Sequence, residues 1–413
     1  MNPILPREYF IPDVEAHQWE KNGPIYLYGS KDELGVQDYC SSEYQVFSSL
    51  DLEHWTEHGT SFAAQSAEHG TTWVEGNLYA PDCLEKDGKY YLYFCSASNQ
   101  EGVAVSDSPC GPFTGAEPIP LMDGDAIDPA VFTDDDGRAY VYWGQKDLRA
   151  AQLHENRREL LPETLNRSLL NEEEHGFHEG PSLRKRDGIY YLSYTDTSRG
   201  KATCIGYATS RSPLGPFEKR GILIDNDGCD PESWNNHGSL AQLGEDWYIF
   251  YHRSSNGGKF HRRVCVERVS FDENGLIAEA EMTSQGTQPP LPATTELLAQ
   301  HACLLHGAGC IRSGAEGDYL HGFGRGGWAC FRYLDFSGKL TSCRVRYSCE
   351  GDAQVALRID SPSGPVVGGG VLKGTGGAIG EGIFTLAPVK GVFPLYLCFE
   401  NDGKPEIYSL SMH

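Results

Sequence analysis

The chain has 413 residues, 39% hydrophobic and 22% charged, with 34 basic against 58 acidic side chains and a net charge of −24. That length holds one large domain or two ordinary ones, the composition is that of a globular protein, and the acidic balance excludes nucleic acid and anionic membrane as partners. No apolar run reaches about 18 residues, so no membrane-spanning helix is expected. Residues 1–8 carry no signal-peptide core, and the thirteen cysteines are odd in number and include no Cys-x-x-Cys pair. The expectation is therefore a cytoplasmic protein with reduced thiols.

In chain order, five segments share a turn followed by an aromatic-rich strand: Asn22 to Tyr28, Asp87 to Tyr93, Asp136 to Tyr142, Asp187 to Tyr194 and Gly244 to Tyr251. Their starts differ by 65, 49, 51 and 57 residues. Asn-Gly or Asp-Gly ahead of alternating Tyr and aliphatic residues is hairpin chemistry. A period near 50 with several strands per unit is propeller spacing. Further strands follow in each unit, and two of them, Val103 to Ser106 and Ile205 to Ser210, lead into nearly the same Gly-Pro-Phe turn at 111–113 and 215–217. The reading is an all-β chain with a propeller of five four-stranded blades over 1–290. The alternative is a sandwich with unusually regular strands.

Ser284 to Pro292 is a Pro-rich linker. After it the aromatic repeat is absent. Short β runs such as Gln354 to Asp360 and Pro394 to Phe399 predict a β-sandwich of jelly-roll type over 295–413.

The first strand of each propeller blade lines the central channel, so the residues ahead of each aromatic strand decide what the channel presents. They include Asp13 after Pro12, Asp82 after Pro81, Asp128 before Pro129, Glu179 before Gly180-Pro181, and His237 before Gly238. Four carboxylates and a histidine converging on one channel end are hard to explain by stability, because burying a carboxylate is costly unless it is paired. Clustered carboxylates repel, so at least one is expected to have a raised pKa, which is the starting point for acid/base chemistry. Glycoside hydrolysis needs two such groups. An inverting enzyme keeps them roughly 6.5–9.5 Å apart to admit a water.

With Ile25 to Asp32, these motifs resemble family 43 glycoside hydrolases, five-bladed propellers that cleave arabinose- and xylose-containing polysaccharides with inversion. The resemblance covers about 1–290. It implies Asp13 as general base, Glu179 as general acid and Asp128 as the group that orients the acid and holds up its pKa. It further implies His237 as a channel histidine that ligates a water or a cation, and Arg253 as an arginine on the tuning carboxylate and the substrate. No cofactor is required on this reading, although calcium or another cation in the channel fits it. Residues 295–413 resemble a family 6 carbohydrate-binding module through Tyr333 to Phe336, Val355 to Asp360, Gly374 to Gly377 and Gly391 to Leu397. There Ala378-Ile379 follows Thr-Gly-Gly, where the module commonly has a stacking aromatic. An aliphatic pair offers no flat π face.

Asp82 is read as a substrate-hydroxyl contact, with a structural carboxylate as the alternative. Trp73 is read as a sugar-stacking side chain or as rim packing. His237 could equally be a satisfied core histidine, and Asp134-Asp135-Asp136 is read as a solvated turn rather than a calcium loop. The insertion around Trp73 and the stretch Asn166 to Phe177 are expected to wall the channel into a pocket. The function expected is exo-acting, inverting removal of terminal α-L-arabinofuranosyl or β-D-xylosyl residues from oligo- or polysaccharide. The alternatives are an endo-arabinanase and a non-catalytic sugar-binding propeller.

Overall fold

A computed structural model describes all 413 residues. Its first twenty strands form five sheets in chain order. Blade one is β1 (Glu15–Gln18), β2 (Ile25–Gly29), β3 (Glu43–Ser49) and β4 (Thr56–Ala64), with a short parallel β5 (Gly70–Thr71). Blade two is β6 (Leu78–Lys86), β7 (Lys89–Ser96), β8 (Gly102–Ser106) and β9 (Thr114–Pro118). Blade three is β10 (Ala130–Thr133), β11 (Ala139–Trp143), β12 (Asp147–Leu153) and β13 (Asn166–Asn171). Blade four is β14 (Phe177–Arg186), β15 (Ile189–Asp196), β16 (Cys204–Ser210) and β17 (Glu218–Asp225). Blade five is β18 (Leu240–Leu243), β19 (Asp246–Ser255) and β20 (Gly258–Val269).

The innermost strands β1, β6, β10, β14 and β18 adjoin one another in that order, and β18 returns to β1 through a parallel bridge between Val14 and Gly238. This makes the protein a five-bladed propeller, as the aromatic repeat predicts. The hairpin turns ahead of β7 and β15 use Asp87-Gly88 and Asp187-Gly188, each with positive φ at both residues. That is the backbone an Asp-Gly pair supplies at least steric cost.

The fifth blade differs from expectation in having three strands. After β20 the chain turns back on itself at the Phe271–Ile277 bridge and runs beside β17 at Ala280, so no fourth hairpin strand forms. The open edge of β20 is covered instead by the N-terminal segment. Ile4 N donates to Val264 O at 3.1 Å, and the Asn2 side chain both donates to Val266 O (3.0 Å) and accepts from Val266 N (2.9 Å). Closing the last blade with the start of the chain removes a free sheet edge.

The remaining strands form a two-sheet sandwich. One sheet runs Leu291–Pro292, Trp328–Asp335, Val392–Phe399, Ala353–Ile359, Val366–Leu372. The other runs Cys310–Gly314, Gly317–His321, Glu406–Met412, Ser342–Ser348, Gly380–Thr385. Along the first sheet, side chains alternate between two cores. Phe331, Val355, Leu357, Leu395 and Leu397 fill the sandwich, while Cys330, Ala356, Tyr396 and Cys398 pack against Tyr251, Cys265 and other propeller residues. A period of two with both faces apolar is the sequence mark of a strand buried on both sides.

The contact between the two units includes a buried ion pair between Arg263 and Asp318; Arg263 also donates to Arg7 O at 3.0 Å. Arg263→Ala leaves Asp318 buried without its cation. It is expected to cost about 3–5 kcal/mol, read as a lower urea midpoint. A loss under about 1 kcal/mol, the ordinary result for an exposed pair, would contradict this placement.

Candidate active site

The channel end closed by the strand entrances holds a cavity of about 160 Å³. Asp13, Asp128, Glu179, His237 and Arg262 meet there, ringed by Tyr39, Tyr79, Ile127, Gln145 and Asn235. The three carboxylates come from blades one, three and four. Asp13, Asp128, Gly180 and Asn235 all have φ between 53° and 63°, so one left-handed residue turns the chain into the channel on each of four blades. Asp and Asn tolerate that conformation better than most side chains, and glycine best of all. At position 180 only glycine fits for a second reason: a Cβ there would lie 2.8 Å from the His237 ring.

Asp13 accepts from both sides of one guanidinium nitrogen's reach: Arg262 Nη1 donates to Oδ1 at 2.8 Å and to Oδ2 at 3.1 Å. His252 Nδ1 lies 3.4 Å and His237 Nδ1 3.9 Å from Oδ1. Burial opposes ionisation, but Arg262, the two histidines and a bond from Ser30 together hold Asp13 below its usual value. Arg262 is the main cation. Burial and Arg262 drop His252 to a pKa of about 3, so it is neutral near pH 7 and adds no full charge. The same guanidinium serves Asp32, with Nε donating at 3.0 Å and Nη2 at 2.9 Å. Burial nonetheless lifts Asp32 above its usual value. Of the two carboxylates sharing Arg262, Asp13 is the one held below its usual value.

Asp128 has the opposite environment. Its Oδ2 accepts from Gly180 N at 3.1 Å, but no cation pairs with it, and His237 Nδ1 stands 3.9 Å away. Burial first, then the charges of Glu179 and Asp13, push Asp128 well above the usual carboxylate range. In the cavity itself, the expected raised carboxylate is Asp128. Glu179 is oriented by two side-chain amides, Gln145 Nε2 donating to Oε2 at 2.7 Å and Asn235 Nδ2 donating to Oε1. Each oxygen thus accepts one of these bonds, and Glu179 lines the cavity.

Three residues expected at the substrate lie elsewhere. Asp82 lies two residues past Ala80, the position that matches the left-handed Gly180 of blade four. In blade two Tyr79 pairs Cys95 and Asp82 pairs Tyr93, as in blade four Glu179 pairs Thr195 and Ser182 pairs Ser193. Pro81 therefore matches Pro181, Tyr79 matches Glu179, and Asp82 matches Ser182, one layer deeper in the channel. There Asp82 accepts from His17 Nε2 (2.6 Å), Cys83 N (2.6 Å) and Val131 N (2.7 Å), and burial raises its pKa to about 7. Glu15 and His17 complete that layer, with Arg184 donating to Glu15 at 2.7 Å.

Arg253 points away from the cavity. Strand alternation puts His252 towards Asp13 and sends Tyr251 and Arg253 to the opposite face, where Arg253 donates to Tyr251 Oη and Thr283 O. The pocket arginine is Arg262, which pairs Ser254 across the β19–β20 hairpin and so shares the face of His252. Trp73 packs near Phe94, with centroids 6.0 Å apart, and donates from Nε1 to Ala116 O at 3.1 Å. It belongs to the join between blades one and two.

Nor do 166–177 wall the pocket; they form β13, a short helical turn and the start of β14. The walls come from Tyr39, Tyr79 and Gln145. Asp134 and Asp135 are bound by Lys185 at 2.5 and 2.7 Å, so that turn already carries its cation.

A propeller whose channel mouth gathers one carboxylate held below its usual pKa, one pushed well above it and a third held by amides has the equipment of a glycoside hydrolase. Residues 1–277 match the profile of Glycosyl hydrolases family 43, and the chain belongs to that family. A xylosidase/arabinosidase of Thermoclostridium stercorarium is 28% identical, covering 100% of this chain and 98% of that protein. Xylosidase/arabinosidase 43A of Humicola insolens is 32% identical over 67% of this chain and 98% of its own length. Among solved structures, a family 43 β-xylosidase/α-arabinofuranosidase from a compost metagenome, in complex with xylotriose, is 30% identical with a TM-score of 0.58, covering 68% of this chain and 97% of that one. An arabinoxylan arabinofuranohydrolase of Bacillus subtilis shares the fold along the whole chain, with a TM-score of 0.60 at 24% identity, covering 100% of this chain and 97% of that one.

Proposed function

We propose that the protein is an exo-acting, inverting glycosidase that releases terminal α-L-arabinofuranosyl or β-D-xylosyl residues from hemicellulose-derived oligosaccharides. The observation that carries this is the division of labour in the pocket: Asp13 is gripped by the Arg262 guanidinium, which holds its pKa down, while Asp128 has no paired cation and is pushed well above the usual carboxylate range by burial and by Glu179. Asp13 is then the base that takes a proton from the attacking water. Glu179 delivers a proton to the departing oxygen, and Asp128, through the Gly180 N–H and its proximity to Glu179, orients that acid. His237 packs between the two arms and contacts the sugar. A cavity of about 160 Å³ suits one terminal sugar ring rather than a long chain. The xylosidase/arabinosidase relatives support the same two sugars.

His237 offers one imidazole ligand, and Asp13 and Asp128 are already engaged. A channel cation would be held largely through water. The sandwich over 295–413 is read as an attachment module. The thiols, none bridged and all but Cys110 buried, suit a reducing compartment.

The test is turnover of nitrophenyl α-L-arabinofuranoside and β-D-xyloside, followed by product analysis on xylotriose and arabinan. Monosaccharide should appear first. Internal cleavage of arabinan would favour the endo-acting alternative, and no turnover on any of these would defeat the reading.

A further inference from the structure

We propose that Tyr39 is a positioning residue that holds the acid arm and the base arm of the site in one register; this rests on reading Glu179 as acid and Asp13 as base. Tyr39 stands in the loop between β2 and β3, and two different parts of its side chain face the two arms. Its hydroxyl donates to Asn235 Oδ1 at 2.8 Å, and the Asn235 amide in turn donates to Glu179 Oε1. Its ring takes the Arg262 guanidinium over its face, 4.9 Å from the centroid, and Arg262 is the group that grips both oxygens of Asp13.

The loop is set for this. Asn77 Nδ2 donates to Tyr39 O at 2.9 Å, and Phe260 packs edge-on at 4.8 Å. A chain of hydrogen bonds polarises along its length, and an amide with both ends bonded cannot swing, so the hydroxyl fixes where Asn235 points Glu179. A cation on a desolvated aromatic face is likewise held in plane and place. Substrate entering this pocket passes the same ring, since Tyr39 is part of its wall.

The two contacts can be separated. Tyr39→Phe keeps the ring over Arg262 and removes only the hydroxyl. It should lower kcat about tenfold on an unactivated disaccharide of the preferred sugar, a loss at least about fivefold greater than on the dinitrophenyl glycoside, with KM little changed. Tyr39→Leu also removes the ring and should add a loss on the dinitrophenyl glycoside, because Asp13 acts on both substrates. Asn235→Gly keeps the left-handed backbone at φ 53° and deletes the amide. In that background Tyr39→Phe should add almost nothing, since the hydroxyl acts only through Asn235.

Glu179→Ala, run alongside, separates the two levels of the claim. If it shows the leaving-group dependence and Tyr39→Phe does not, or if the Tyr39 and Asn235 effects simply add, the proposal for Tyr39 is overturned while the acid and base stand. If Glu179→Ala loses equally on both substrates, the underlying reading fails and this proposal with it.

Discussion

Glu179→Ala is expected to lose roughly 10²–10⁴-fold in kcat on an unactivated disaccharide and far less on the dinitrophenyl glycoside, while Asp13→Ala loses on that order on both. The asymmetry follows from what each carboxylate does. Dinitrophenolate is a stable anion and departs without a proton, so an absent acid matters little. Water must still be deprotonated as it attacks, so an absent base matters for every leaving group. The geometry supports this division. Asp13 is fixed by a buried guanidinium and is ionised. Glu179 is aimed by two amides, Gln145 and Asn235, and adjoins Asp128, the carboxylate pushed well above its usual range by burial and by Glu179 itself. Steady-state kinetics of the two variants on the two substrates, with a thermal melt to show that each is folded, gives the comparison. Equal losses for Glu179→Ala on both would exchange or cancel the roles.

The second large effect is at Arg262. Arg262→Met should destabilise the fold by about 3–5 kcal/mol, because it strands Asp13 and Asp32, both buried, without their shared cation. It should also move the acidic limb of kcat/KM to higher pH. In the native protein the Asp13 value is depressed below its unfolded value of about 3.9. Its ionisation therefore stabilises the fold above that pH, a contribution lost as pH falls through the folded value. Without Arg262, burial acts unopposed by a full charge, and the base becomes protonated at a higher pH than before. Arg262→Lys keeps a charge but not the fork that spans two carboxylates. It should fold better than Arg262→Met and show a smaller shift in the same direction. An acidic limb unmoved in both variants would mean that Arg262 does not set the state of Asp13.

The propeller was legible because its signal is repeated. Five turns of Asn-Gly, Asp-Gly or Gly-Glu type, each followed by alternating aromatic and aliphatic residues, give the blades whatever the fate of one strand. The missing fourth strand of blade five was not legible, since it depends on Asn2 and Ile4 meeting Val264 and Val266 across the whole chain. The three central carboxylates were legible because each sits beside a Pro or Gly at the channel mouth. Asp82 shows the limit of that rule. Counting by proline rather than by carboxylate places Tyr79, not Asp82, level with Glu179, and the strand register shows the same three-residue offset.

Arg253 and Arg262 were confusable for a related reason. Both lie on the last hairpin, and the face each presents follows from pairing across it. With His252 recognised as the inward residue, alternation and pairing with Ser254 would have picked Arg262. Tyr39 and Gln145 lie outside the five motifs, in a loop and just after a strand, where spacing carries no information.

The stereochemistry of the first product tests the central claim most directly. If Asp13 activates water on the face opposite the departing group, proton NMR during the first minutes of β-xyloside hydrolysis will show α-xylose building up before mutarotation mixes the anomers. Initial release of β-xylose would mean that a carboxylate attacks the sugar itself, and would contradict Asp13 as a base acting through water.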